Sequence, residues 1–146
     1  MRIETSRFGE LTIDSEAIIF FPDGIVGFSD NRQWVLLGES ESDAVGWLQS
    51  VSAPELAVAV VTPHRFAPGF CLRFHRDEIT SLPWGPEDEA IVLAIVGHNG
   101  DQLTMNLKAP LLINLNRRIG RQVLTSDEQP LQYALTKQVT AMRKSA

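Results

Sequence analysis

"NLKAPLLIN", residues 106 to 114, is the stretch whose reading decides the fold. Around it the chain divides by parity: Leu103, Met105, Leu107, Ala109, Leu111, Ile113 and Leu115 are apolar, while Thr104, Asn106, Lys108, Asn114 and Asn116 between them are polar. A period of two is the mark of a strand with one face buried. Pro110 and Leu112 interrupt the polar set. Because proline has no amide to give to a ladder, Pro110 predicts an edge, a bulge or a break between two strand segments. The polar residues then read in one of two ways. They form a solvated face, or they form a sheet edge, opened at Pro110, where an extended partner segment adds. On the second reading Asn106, Lys108, Pro110 and Asn114 are candidate partner-binding residues.

Outward from this stretch the strand signals come in short pieces separated by turns, which predicts a mainly β domain. "RIET" and "ELTID" flank Phe8-Gly9 as a hairpin, and "AIIFF" runs into the bend "PDGIVGF", where Pro22, Gly24 and Gly27 supply fixed or positive φ. Further strands are expected at 34–38, 46–51, 56–61, 70–74, 90–96 and 121–124. Helix is scarce: "RDEITSL" predicts one short turn before Pro83, and the tail "LQYALTKQVTAMRK" places Leu131, Leu135, Val139 and Met142 on one helical face. Nine or ten strands in a short chain must close up to avoid bare edges, so the expectation is a small, partly closed β-barrel over residues 1–130, followed by a C-terminal helical tail over 131–146.

Composition fits that picture. The 146 residues are 44% apolar and 21% charged, enough for one domain to bury about two-thirds of its unfolded surface. The longest apolar run, Ala90 to Val96, falls far short of the roughly 18 residues of a membrane span, and "MRIETSRFGE" lacks the apolar core of a signal peptide, which points to the cytoplasm and away from membranes. The single cysteine, Cys71, sits in the apolar run "GFCLRF" and is expected to be buried and inert. The net charge of -5 is unevenly spread: residues 1–60 hold three Arg against ten Asp and Glu. Such a half repels phosphate and attracts a basic protein. Within it "GESESDAVG" sets Glu39, Glu41 and Asp43 in a predicted loop, where solvated rim charges would speed a partner's approach.

Catalytic patterns are missing. His64, His75 and His98 are widely spaced, with no metal-site grouping, and "PEDEA" reads as a solvated acidic turn before a strand. No cofactor, metal or enzymatic activity is expected. Trp34 and Trp47 lie in apolar contexts and read as core, whereas Trp84, in "SLPWGPED", sits in a predicted surface loop. Arg117, Arg118 and Arg121 in "NRRIGRQ", with the basic tail, keep open a rival reading as a small barrel that binds RNA directly.

Taken in order, "FGELTID", "IIFFPDGIVGF", "WLQSVSAPELAVAVVTP" and "NLKAPLLINLNRRIGRQVL" resemble the flagellar assembly factor FliW family over roughly residues 1–131. The resemblance implies a cytoplasmic, non-enzymatic β-barrel that binds newly made flagellin. When flagellin is scarce, such a protein binds the translational repressor CsrA and relieves repression of flagellin mRNA, acting on protein partners without touching nucleic acid. Ser52-Ala53 and Thr62 stand where that pattern usually carries acids, which thins the acidic surface.

Overall fold

A computed structural model describes residues 1–39, 42–80 and 82–135 and contains eleven strands. β1 (Arg2–Thr5) and β2 (Gly9–Thr12) form a separate hairpin, turned at Gly9. The wall of the barrel is made by β3 (Ile18–Phe20), β4 (Gln33–Glu39), β5 (Ser42–Ser50), β6 (Ala57–Val61) and β7 (Ala90–Asn99) in antiparallel succession. β8 (Gln102–Met105) and β9 (Leu111–Asn114) both pair with β7, and β10 (Ile119–Gln122) pairs with β9 and, in parallel, with β3. The ring β7-β6-β5-β4-β3-β10-β9 therefore closes on seven strands. β8 and a last short strand, β11 (Tyr133–Ala134), extend from β7 beyond the ring.

The two edges of the break expected at Pro110 lie along one strand. Met105 faces Val96 and Leu111 faces Leu93, so six steps along 105–111 match three steps on β7, and three residues are extra. An odd insertion turns the following side chains to the other face. Leu103 and Met105 accordingly pack outside the ring with Val61, Ala94 and Leu107, while Leu111 and Ile113 point inside with Ile19, Phe21, Trp34, Leu48 and Val60. The unbroken odd-numbered apolar series thus serves two cores. The outer one is roofed by Phe66 of α1 (Pro63–Phe66), a single turn begun by proline at its first position, and by Tyr133 and Leu135. Each fully buried Leu, Ile or Phe contributes about 1.5–3 kcal/mol against the chain entropy lost.

Several expectations need correction. Residues 70–74 form no strand: they alternate in exposure like one, but Pro68-Gly69 and a 3-10 turn at Arg76–Ile79 bracket them, and the backbone bond from the Ser126 amide to the carbonyl of Arg73, at 2.8 Å, is not continued into a ladder. Cys71 falls on the outward side of that segment and is exposed. Residues 131–135 are not helical, since β11 is held to β8 with Tyr133 facing Met105; the rest of the expected tail helix, from residue 136, lies outside the described residues. Of "GESESDAVG", expected as a loop, Glu39 belongs to β4 and residues 42–46 to β5, with a register shift between Gly38 and Glu39. Trp84 is exposed, and Trp34 and Trp47 are buried.

Closure leaves one tight contact. A Cβ on Gly120 would lie 2.7 Å from Cζ of Phe21, a ring that is itself fully buried. Gly120→Ala should therefore destabilise by about 1–3 kcal/mol through overpacking, read as a lower urea midpoint at unchanged slope.

Candidate partner-binding surface

The backbone of Lys108, Ala109 and Pro110, the three extra residues, is held by hydrogen bonds from several segments. Asn106 Oδ1 accepts hydrogen bonds from the amides of Lys108 and Ala109, both at 3.0 Å, which folds the chain into an Asx-type turn. The carbonyl of Lys108 accepts from the amide of Thr125 at 3.0 Å and from its hydroxyl at 3.1 Å, and the carbonyl of Pro110 accepts from Val123 at 2.9 Å. Gln122 then joins two distant segments: its Nε2 donates to the carbonyl of Ala109, and its Oε1 accepts from the amide of Val26, each at 2.9 Å. Val26 sits in the bend 22–28 between Gly24 and Gly27, both at positive φ. A Cβ on Gly24 would also stand 2.8 Å from Cα of Ser29, so only glycine fits that corner.

The result is one surface built from the bend, the excursion and residues 121–124. Val26 is 81% exposed and Leu124 54% exposed, with Lys108 exposed beside them. Charges frame the aliphatic pair: Arg121 reaches Asp23 at 2.9 Å and Glu78 at 3.4 Å, and Glu78 Oε1 accepts from the amide of Leu124. Exposed aliphatics inside a polar, hydrogen-bonded rim are what a protein interface needs, because apolar burial supplies affinity and the rim supplies register. Among the described residues no group of His, Cys, Asp and Glu has the geometry to hold a metal ion. No described helix is long and apolar enough to cross a membrane.

The candidate residues do not stay together. Asn106 is half-buried and spent on its turn, Lys108 is exposed, and Pro110 is buried with its carbonyl bonded. Asn114 is fully buried and cannot meet a partner. Its Nδ2 donates to Asp88 at 2.9 Å and its Oδ1 accepts from the amides of Asn116 and Arg117, so the polar parity at 114 marks an internal joint instead of a solvated face. Glu41 lies outside the described residues, as do the side chains of Glu39 and Asp43. Reading by sequence missed Val26, Leu124 and Gln122. A lone valine between two turn glycines was a usable sign of exposure, but Gln122 bonding a residue 96 positions away was not.

Asp88 is the other residue that sequence undervalued. Hydrogen bonds from the Asn114 side chain, the Gly85 amide and the Arg117 guanidinium hold its carboxyl at about 2, below the ordinary 3.8. With the folded value lowered, the stabilisation is whole above pH 3.8 and fades as pH falls to about 2. Asp88→Asn should thus be less stable than the parent at neutral pH, and the gap should close over that acid window in denaturant melts. A gap independent of pH would mean that the charge contributes nothing.

Comparison with known proteins agrees with this architecture. The sequence profile described as FliW protein matches residues 2–135. The flagellar assembly factor FliW of Bdellovibrio bacteriovorus is 36% identical over 129 residues, covering 87% of this chain and 74% of that protein. That of Heliobacterium modesticaldum is 38% identical over 126 residues, 85% of this chain and 82% of the relative. A crystal structure of the flagellar assembly factor FliW superposes with a TM-score of 0.85 at 28% identity, covering 93% of this chain and 97% of the other. The closed barrel, the ordered motifs and these matches together place the chain in the FliW family of flagellar assembly factors, which are not enzymes.

Proposed function

We propose that this FliW-family protein works in the cytoplasm by binding, in mutually exclusive fashion, newly made flagellin and a CsrA-type translational repressor, so that flagellin levels set how much repressor is free. The observation that carries the proposal is the meeting of two family-like segments, "FFPDGIVGF" and "NLKAP", on one surface through Gln122, with Val26 and Leu124 bared beside Lys108. Neither segment contributes a catalytic group, and a bonded frame of this kind holds an interface ready before the partner arrives. The acidic run with Glu39, Glu41 and Asp43 is suited by its charge to steer a basic repressor, mainly by raising the association rate.

Of the groups of the RNA-binding rival, the three arginines are engaged within the protein, and the basic tail from residue 136 lies outside the described residues. Arg117 is bonded to Asp88 at 2.7 Å, Arg118 donates to the carbonyl of Glu16 at 3.1 Å, and Arg121 lies between Asp23 and Glu78. Arg117 and Arg121, already facing carboxylates, are poor ligands for phosphate, since the carboxylates repel it.

Calorimetry with the three purified proteins tests the proposal: saturating flagellin should abolish repressor binding. Val26→Ser and Lys108→Glu, both at exposed positions where stability changes by only about 0.5 kcal/mol, should weaken at least one partner by about tenfold, or about 1.4 kcal/mol, at unchanged melting temperature. Repressor binding indifferent to flagellin, or full affinity in both variants, would refute the proposed surface and switch.

A further inference from the structure

Residues 70–75 join no sheet, yet they keep the habits of a strand. Cys71, Arg73 and His75 are exposed, Phe70, Leu72 and Phe74 are half-buried, and His75 at the end of the run holds a β conformation, φ -74° and ψ 146°. Phe70 anchors the run on the outer cluster. Its neighbour is the segment 123–126, whose amides alternate in direction: Val123 and Thr125 donate to the carbonyls of Pro110 and Lys108, while Leu124 and Ser126 donate the other way, to Glu78 Oε1 and to the carbonyl of Arg73.

In an extended chain successive residues turn their peptide groups to opposite edges. With Arg73 turned to Ser126, Leu72 and Phe74 turn their N–H and C=O groups away from it, and among the described residues these four groups make no hydrogen bond. Buried backbone groups are almost always paired, so this edge faces water. Charge marks the same place. Between Glu55 and Asp77 the chain carries Arg65, Arg73 and Arg76 and no acid, although the whole protein has a net charge of -5. Arg73 and Arg76 are exposed and form no ion pair with a described residue.

We infer that the outer edge at Leu72 and Phe74 accepts an extended segment of another polypeptide in which acidic and apolar residues alternate. Two donors and two acceptors, two residues apart along one edge, select a strand, because its backbone repeats at the same spacing. The guest's apolar residues lie opposite Leu72 and Phe74, and its acids opposite Cys71, Arg73 and His75, where opposite charges across a strand pair attract. The attraction is local. Beyond a Debye length of about 8 Å at physiological salt the acidic remainder of the protein is screened. Charge also decides among occupants: the same edge of a second copy would bring Arg73 up to Arg73, and residues 136–146 hold Lys137, Arg143 and Lys144 without an acid. Single-stranded nucleic acid binds on exposed aromatic platforms, and the outward row has no Phe, Tyr or Trp. None of these residues belongs to the Val26–Leu124 surface, so the edge does not depend on the flagellin and repressor reading.

The test is an amide NMR titration of the isotope-labelled full chain with the capped peptide Glu-Val-Glu-Val-Glu, which presents the same side chains in either strand direction, into the millimolar range. Saturable shifts and slowed exchange are expected at the amides of Leu72 and Phe74, with no slowing at Arg73, whose amide lies on the Ser126 side. Cys71, the chain's single thiol and exposed, should react more slowly with a maleimide when the peptide is bound. The same peptide methylated on both valine amides should bind at least about tenfold more weakly. Arg73→Glu, at an unchanged melting temperature, should lose this peptide and gain Lys-Val-Lys-Val-Lys. No saturable shifts at Leu72 and Phe74, undiminished binding of the methylated peptide, or full affinity in Arg73→Glu would each overturn the inference. An oligouridylate that shifts these amides where the peptide does not would overturn it in favour of nucleic acid. Binding that emerges only after removal of residues 136–146 would do so in favour of the chain's own tail, and concentration-dependent shifts without peptide in favour of a second copy.

Discussion

The three residues inserted at Lys108–Pro110 are the constraint on which the rest of the structure depends. Because the number is odd, one continuous apolar series fills two cores: Leu103, Met105 and Leu107 close the outer cluster, and Leu111 and Ile113 close the ring. Without the insertion, Leu111 would face outward opposite residue 90, and the ring would lack the side chains that join β7 to β10 through β9. The excursion needs somewhere to go, and Asn106, Thr125 and Gln122 supply its bonds. The same bonds fix the bend carrying Val26. Closing the barrel and displaying the candidate partner surface are thus two effects of one insertion.

A second joint settles the far end of β9. Asn114, fully buried, spends both ends of its amide on the 82–88 loop and on the turn that leads into β10. That turn passes through Arg118 at φ 53°, a conformation that disfavours any side chain, and the carbonyl of Arg118 accepts from Phe20 where β10 meets β3 in parallel. The ring is shut by one parallel pair, so the turn's strained residue and its neighbouring Arg117–Asp88 bond hold the closure in place. The arginines that look free in the sequence are structural parts of this end of the barrel.

Most strands were legible because half-buried strands write their burial into a period of two, and the glycine bend at 22–28 was legible because positive φ selects glycine. Parity could not show the change of face at 106–110, since an odd excursion followed by a strand keeps odd residues apolar on both sides. Asn114 looked like surface because burial of an amide depends on partners, Asp88 and Pro83, some thirty positions away. The run at 70–74 has the alternation of a strand, but its bond with Ser126 is not continued into a ladder, and pairing is a property of the fold, not of the segment. Val26 escaped notice for a similar reason. Its exposure follows from two flanking glycines and one distant glutamine, whereas composition alone suggests core.

The central claim, that the excursion and the bend form one partner-binding surface, is tested most directly by amide hydrogen exchange on the full chain with and without flagellin. Added protection is expected at 22–28, 106–110 and 121–124 together, with the hairpin of β1 and β2 unchanged. Protection confined to that hairpin, with those three segments exchanging as in the free protein, would contradict it.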